Sequence, residues 1–219
     1  MLKVVAIDGI SGSGKSSTAR LLAKELGFFH LDTGSMYRLH AALALESGLK
    51  AGQDLELEKL ARGLDFSFDK DGGLLANGKA LPDSIRSPAV SSVVSEYCKP
   101  AGVREAMARQ QRKLGSAAPC VVEGRDIGTV VFPDAPWKIF MTARPEVRAQ
   151  RRAKEWAGGG LEVKTEEVAQ NLLERDVQDS TRAHSPLRKA GDALELDTSN
   201  LTLERQVAIL ANLVRNGSV

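Results

Sequence analysis

The run Gly9-Ile10-Ser11-Gly12-Ser13-Gly14-Lys15-Ser16 leaves this chain the least freedom of any segment. It has the form G-x-x-x-x-G-K-[ST], and its flanks fit as well as its letters. Before it, Lys3-Val4-Val5-Ala6-Ile7-Asp8 is a short apolar run rich in β-branched residues, which reads as a buried strand. After it, Ala19, Leu22, Ala23 and Leu26 recur at helical spacing, and Gly27 supplies a stop. Strand, glycine loop and helix together turn backbone N–H groups inward around a polyphosphate. The helix N-terminus adds partial positive charge, Lys15 reaches the outer phosphates, and the Ser16 hydroxyl is a ligand for Mg²⁺. The loop 9–17, Ser17 included, is therefore expected to hold a nucleoside triphosphate.

The remainder of the chain predicts the fold around that loop. Five β-rich runs, 4–8, 29–32, 120–124, 137–142 and 193–197, alternate with helical patterns. Alternation of this kind predicts a parallel sheet with helices on both faces and chemistry at the carboxyl ends of the strands, where Asp8, Asp32 and Glu123 stand. Ser87-Pro88 reads as a helix start, and Val90, Val93, Val94 and Tyr97 then form one apolar face. Val103, Met107, Gln110 and Leu114 form a second stripe, and Leu203, Val207, Leu210 and Val214 a third. Two segments interrupt the alternation. Residues 64–81 carry Asp71-Gly72-Gly73 and Asn77-Gly78, the latter a two-residue hairpin signal, and predict a small antiparallel insertion. Ala157-Gly158-Gly159-Gly160 predicts a break between two charged helices, the hinge of a moving element.

With 219 residues the chain suits one α/β domain with elaborations, and a net charge of +2 gives no argument for nucleic acid. No apolar run approaches the ~20 residues that span a bilayer, and the N-terminus enters a strand without a signal peptide, so a cytoplasmic location is expected. His30, His40 and His184 are too scattered for a metal site, and Cys98 and Cys120 read as buried reduced thiols.

Three charged constellations remain. Arg144, Arg148, Arg151 and Arg152 fall at i, i+4, i+7 and i+8, a like-charged stripe that an anion would relieve. Arg175, Asp179 and Arg182 share a face at i, i+4 and i+7. Glu123-Gly124-Arg125-Asp126 follows the third strand directly, where ligands bind in such sheets.

At this point a resemblance enters. Asp32-Thr33-Gly34-Ser35-Met36-Tyr37-Arg38, the run Glu123-Gly124-Arg125-Asp126-Ile127-Gly128-Thr129-Val130-Val131-Phe132-Pro133-Asp134-Ala135, and Glu174-Arg175-Asp176 with Arg182 and Pro186-Leu187 resemble the bacterial cytidylate kinases over essentially the whole chain. The resemblance implies the P-loop nucleoside monophosphate kinase fold: a five-stranded parallel sheet, an antiparallel insertion and a short helical lid. It implies core segments at 1–32, 101–147 and 166–219, a monophosphate-binding region at 33–100 with its insertion at about 64–84, and a lid at 148–165. The implied activity is ATP-dependent phosphorylation of CMP and dCMP, with Mg²⁺, in a monomer that takes no nucleic acid and no membrane as partner. The cytosine is placed near Thr33, Arg104 and Asp126, and the ribose near Ser95, Arg175 and Asp179. The acceptor phosphate is placed near Arg38, Arg125 and Arg182, with Tyr37 packed on the acceptor nucleotide. Lys15, Arg125, Arg182 and the lid residues Arg148, Arg151 and Arg152 are the implied catalytic cations. The chain departs from the family pattern in carrying Thr33 where serine is common, and Gly14-Lys15-Ser16-Ser17 where related kinases often have Gly-Lys-Gly-Thr. A small-metabolite kinase of the shikimate type, a P-loop switch protein and a kinase for UMP or AMP are the alternatives at this stage.

Overall fold

The computed structural model describes residues 3–158 and 165–217, with side chains described up to residue 154 in the first segment. Chain order runs β1 (Val4–Gly9), α1 (Lys15–Leu26), β2 (Phe29–Asp32), α2 (Thr33–Glu46), α3 (Asp54–Arg62), β3 (Phe66–Phe68), β4 (Leu74–Ala76) and β5 (Lys79–Ala80). A 3₁₀ turn, Asp83–Arg86, leads to α4 (Pro88–Tyr97), α5 (Ala101–Ala117), β6 (Cys120–Glu123) and a π-helical turn, Ile127–Val131. Then come β7 (Trp137–Thr142), α6 (Pro145–Gly158), α7 (Thr165–Thr181), β8 (Leu194–Asp197) and α8 (Leu203–Asn216).

The expected five-stranded sheet is present, in the order β2-β6-β1-β7-β8, and every neighbouring pair is parallel. Strand ends differ by a residue from expectation: β1 runs on to Gly9, β6 stops at Glu123 and β8 begins at Leu194. The two-residue alternation of β1 explains the layers. Val4 and Ala6 pack into the cluster formed with α2 to α5, whereas Val5 and Ile7 face α1 and α8. Because both faces are covered, the strand reads as a continuous apolar run. The connection from β1 runs past β6 to β2, whereas the one from β6 runs past β1 to β7, so the connections change direction beside β1 and open a crevice above its carboxyl end.

The helix signals hold. Gly27 ends α1 at φ +66°, and Ser87 caps α4 by accepting from the Val90 N–H at 3.4 Å. Residues 64–81 form the three-stranded antiparallel sheet β3-β4-β5, turned by Asn77 and Gly78 at φ +48° and +75°. Cys98 and Cys120 are buried free thiols, and burial pushes both to about 12. Of the glycine run expected to break the charged helices, Ala157 and Gly158 close α6, whereas Gly159 and Gly160 lie outside the described residues. No helix among the described residues is long and apolar enough to cross a membrane.

Candidate active site

The phosphate loop owes its shape to backbone that only glycine adopts. At Gly9, φ is +150° and a Cβ would sit 2.1 Å from the Met141 carbonyl oxygen, so β1 and β7 can approach only around a bare Cα. Gly14 at φ +93° is the N-cap of α1. That helix start has no side-chain cap and no acidic residue in its first turn, which leaves its amides and their positive dipole end to a ligand.

Three cations fasten the loop through its carbonyl oxygens. Lys15 Nζ donates to Ile10 C=O at 2.7 Å, Arg148 Nη1 to Ser11 C=O at 3.0 Å, and Arg151 Nη1 to Ser13 C=O at 3.3 Å. Asp176 accepts the Ser11 N–H at 2.9 Å and also pairs with Arg148. Burial, aided by the nearby Arg125 charge, holds the Lys15 ammonium well below the usual lysine range.

Alongside the loop lies a cavity of about 740 Å³. Lys15, Ser16, Ser17, Thr33, Tyr37, Arg38, Ser95, Arg104, Arg125, Asp126, Arg151, Arg152, Arg175, Asp179 and Arg182 all line it, together with Gly12 and Gly14. The chain thus brings residues from positions 12 to 182 around one cavity. Gly9, Ile10, Ser11 and Ser13 lie outside that lining and shape the loop from behind.

The arginine stripe of α6 corrects the sequence reading in part. Arg148 is 6% exposed, lies outside the lining and braces the loop from behind. Arg144 leaves the stripe, pairing with Glu146 at 3.4 Å and donating to Asn200 at 3.1 Å. Arg151 is held by Thr198 at 2.9 and 2.7 Å as well as by the loop.

On the opposite wall an unbroken chain of charged contacts leaves the loop. Arg125 donates to Ser11 Oγ at 3.0 Å and to Asp179 at 2.8 Å, and Arg182 donates to Asp179 at 3.1 Å. Arg182 Nη2 stands 3.9 Å from Asp126, which accepts from Arg104 at 3.0 Å. Arg104 in turn lies 5.1 Å above the Tyr37 ring, a cation–π distance. Asp179 therefore bridges Arg125 and Arg182, while Arg175, four residues before it on the same face, acts on it through its nearby charge. Burial works against the Asp179 carboxylate, yet Arg125 and Arg182 reverse that and hold it below the usual range. Burial depresses Arg38, although Asp32 pulls it back up.

At the foot of the loop the Ser16 hydroxyl donates to Glu123 at 2.8 Å, and the other Glu123 oxygen lies 3.2 Å from His30 Nε2. The Thr33 hydroxyl donates to Glu123 C=O at 2.7 Å, tying α2 to β6. Sequence reasoning missed Arg86, which lines the cavity and donates to Asp32 and Ser35 at 3.0 and 3.1 Å. It sits in a 3₁₀ turn beside the insertion, with no periodic partner to mark it.

A glycine loop between a parallel strand and a helix, facing an arginine-rich cavity at the carboxyl edge of the sheet, defines a P-loop phosphotransferase. The cytidylate kinase family model matches residues 5–216, and the chain belongs to that family. It is 42% identical over 215 residues to a cytidylate kinase of Citrifermentans bemidjiense, covering 97% of this chain and 92% of the relative. A cytidylate kinase of Thermosipho melanesiensis is 43% identical over 211 residues, 96% of each chain, and one of Parabacteroides distasonis 44% identical over 215 residues, 94% of each.

Proposed function

We propose that the chain transfers the γ-phosphoryl group of ATP to CMP and dCMP in a single in-line step, and that the cavity residues divide between the two nucleotides. Membership of the cytidylate kinase family supports the reaction, and the buried Arg104–Asp126 pair facing the cavity carries the choice of base. Cytosine offers an amino donor at N4 and acceptors at N3 and O2. Asp126 accepts from N4, and Arg104 donates to N3 or O2. Uracil confronts the same carboxylate with a carbonyl oxygen and the same guanidinium with N3–H, so desolvated groups oppose like groups.

Arg38, Arg125 and Arg182 hold the acceptor phosphate, whose oxygen is already a competent nucleophile and needs no strong base. Ser95, Arg175 and Asp179 hold the ribose. The loop amides, Lys15, Arg151 and Arg152 hold and neutralise the donor phosphates, while Arg148 keeps the loop in shape. Mg²⁺ fits the foot of the loop: Ser16 and Glu123 present oxygen donors 2.8 Å apart. Among the described residues no group of three or more His, Cys, Asp or Glu forms a cage, which suits an ion that keeps waters and is held mainly by substrate phosphates. When bound it supplies charge neutralisation on the polyphosphate.

Diphosphate formation across CMP, dCMP, UMP, AMP and GMP tests the reading. Preference for CMP over UMP is expected to reach ~10⁴ or more, the range open to sites built on hydrogen bonds to the discriminating group. Asp126→Ala is expected to lower CMP efficiency far more than UMP efficiency. Equal use of UMP and CMP by the unaltered chain, or equal loss of both in the variant, would remove Asp126 from base recognition.

A further inference from the structure

Asp8 ends one residue before the phosphate loop, is 4% exposed and lies outside the cavity lining. Its two carboxylate oxygens are both committed. One accepts the Ile127 N–H at 2.8 Å and the other the Gly128 N–H at 2.7 Å. Those amides open the π-helical turn Ile127–Val131, which begins immediately after Arg125 and Asp126. First-turn amides have no partner within a helix, and a carboxylate there also meets the positive end of the dipole. The far end of the same turn meets a cation. Arg112, from α5, donates Nε to Val131 C=O at 3.0 Å and Nη2 to Val130 C=O at 2.8 Å.

The turn includes the backbone of Asp126 itself. The N–H groups of Val130 and Val131 both donate to Asp126 C=O, at 2.9 and 3.1 Å. Whatever fixes the turn therefore fixes the Cα from which the Asp126 carboxylate reaches Arg104, and with it the neighbouring Arg125. Single-turn π segments lack the long ladder that makes an ordinary helix rigid, so such a turn depends on what holds its ends.

We propose that Asp8 and Arg112 are positioning residues for the acceptor nucleotide: they clamp the two ends of the turn 127–131 and so set where Arg125 and Asp126 stand. The inference rests on the reading of those two residues as acceptor-binding. Neither clamp residue lines the cavity, so Arg112 acts on it through the backbone of the turn, and Asp8 acts through that backbone and through its charge near Asp126 and Lys15. Asp8 also joins the two halves of the site, since the strand that carries it runs on through Gly9 into the donor loop.

Steady-state kinetics of Arg112→Ala and Asp8→Asn, with CMP, UMP and ATP varied separately, test this. Asparagine keeps one acceptor but turns an NH₂ group toward an N–H, so one bond becomes a clash of donors. Arg112→Ala is expected to raise the CMP KM about 3- to 10-fold, and Asp8→Asn about 10- to 100-fold, since misplacement near 1 Å costs up to ~10². Both should narrow the CMP/UMP ratio of kcat/KM, and Arg112→Ala should leave the ATP KM within about twofold. Arg112→Lys, which keeps a donor, should recover part of the loss. The inference is overturned if Arg112→Ala keeps the CMP KM and the CMP/UMP ratio within about twofold of the unaltered chain, or if it weakens ATP as much as CMP. Should Asp8→Asn fail to fold, the exposed Arg112 variant decides alone. If Asp126→Ala leaves the CMP/UMP ratio unchanged while Arg112→Ala still raises the CMP KM, the base-reading assignment falls and the clamp stands through Arg125. If Asp126→Ala collapses the ratio and Arg112→Ala does nothing, the clamp falls alone.

Discussion

A buried carboxylate such as Asp8 is held in place by bonds but opposed by its surroundings. Burial pushes it up to about 6; the Gly128 and Ile127 amides and Lys15 pull the other way, and Asp126 adds to the rise. The native protein thus binds this proton more tightly than the unfolded chain, where the ordinary value is 3.8. Stability from Asp8 is therefore full below about pH 4 and is lost as pH rises through about 6, by at most about 3 kcal/mol. Asp8→Asn does not titrate, so the unfolding free energy of the unaltered chain should decline relative to that variant between about pH 4.5 and pH 7 in urea titrations. An equal gap at both pH values would show that the carboxylate does not titrate in that window. Lys15 presents the opposite balance. Its ammonium is buried at a cost and, among the described residues, bonds only to its own loop, so Lys15→Ala should keep the melting temperature while CDP formation falls at least 10²- to 10³-fold. A turnover near that of the unaltered chain would remove Lys15 from the donor site.

Helix α7 works on two faces, and only one was legible in the sequence. Arg175, Asp179 and Arg182 announce themselves by spacing, and the structure places them on the cavity. Asp176 does not, because its partners are a backbone amide and a residue from α6. The same limit applies elsewhere. Strand and helix periodicity, turn chemistry at Asn77-Gly78 and the Gly9–Ser16 motif were readable because each is a local consequence of backbone geometry. Asp8 stood out by its place at a strand end and Asp176 within the Glu174-Arg175-Asp176 run, but the distant main-chain atoms that Asp8, Asp176 and Arg112 hold leave no signal in residue spacing. Spacing also assigned Arg144 and Arg148 to one face without saying what that face meets. One half meets Asn200 and the other the back of the loop. Removing one partner of a buried ion pair costs about 3–5 kcal/mol, so Asp176→Ala should destabilise the fold on that scale and raise the ATP KM. The double variant Arg148→Met, Asp176→Leu should recover stability without recovering ATP affinity. Full recovery of both would show that the pair contributes packing alone.

Across the whole molecule, the site concentrates positive charge that folding alone does not explain. Arg175 is the clearest case. Burial comes first, and then Arg125, Arg38 and Arg152, in bringing its guanidinium down to about 10, with Asp179 only partly offsetting them. Its buried Nε has no hydrogen-bond partner among the described residues. A drop from 12.5 to about 10 corresponds to an opposing free energy of at most about 3.5 kcal/mol in the free protein. The acceptor phosphate proposed to lie against Arg38 and Arg125 would offset the charges that those two residues turn on Arg175, so the arrangement favours the ligand over the stability of the empty site. Arg175→Met keeps much of the side-chain volume and removes the charge. It should therefore raise the stability of the ligand-free protein by about 1–3 kcal/mol while weakening CMP. The ligand response should invert accordingly. CMP at about 100 times its Kd stabilises the unaltered protein by about 2.7 kcal/mol, and the variant at the same CMP concentration should gain less. Thermal unfolding with CMP, with cytidine and with neither separates the contributions, since cytidine carries the base and ribose without the charge that Arg38, Arg125 and Arg182 are proposed to meet. A variant less stable than the parent in the absence of ligand would mean that Arg175 is a structural residue whose charge is already balanced within the fold.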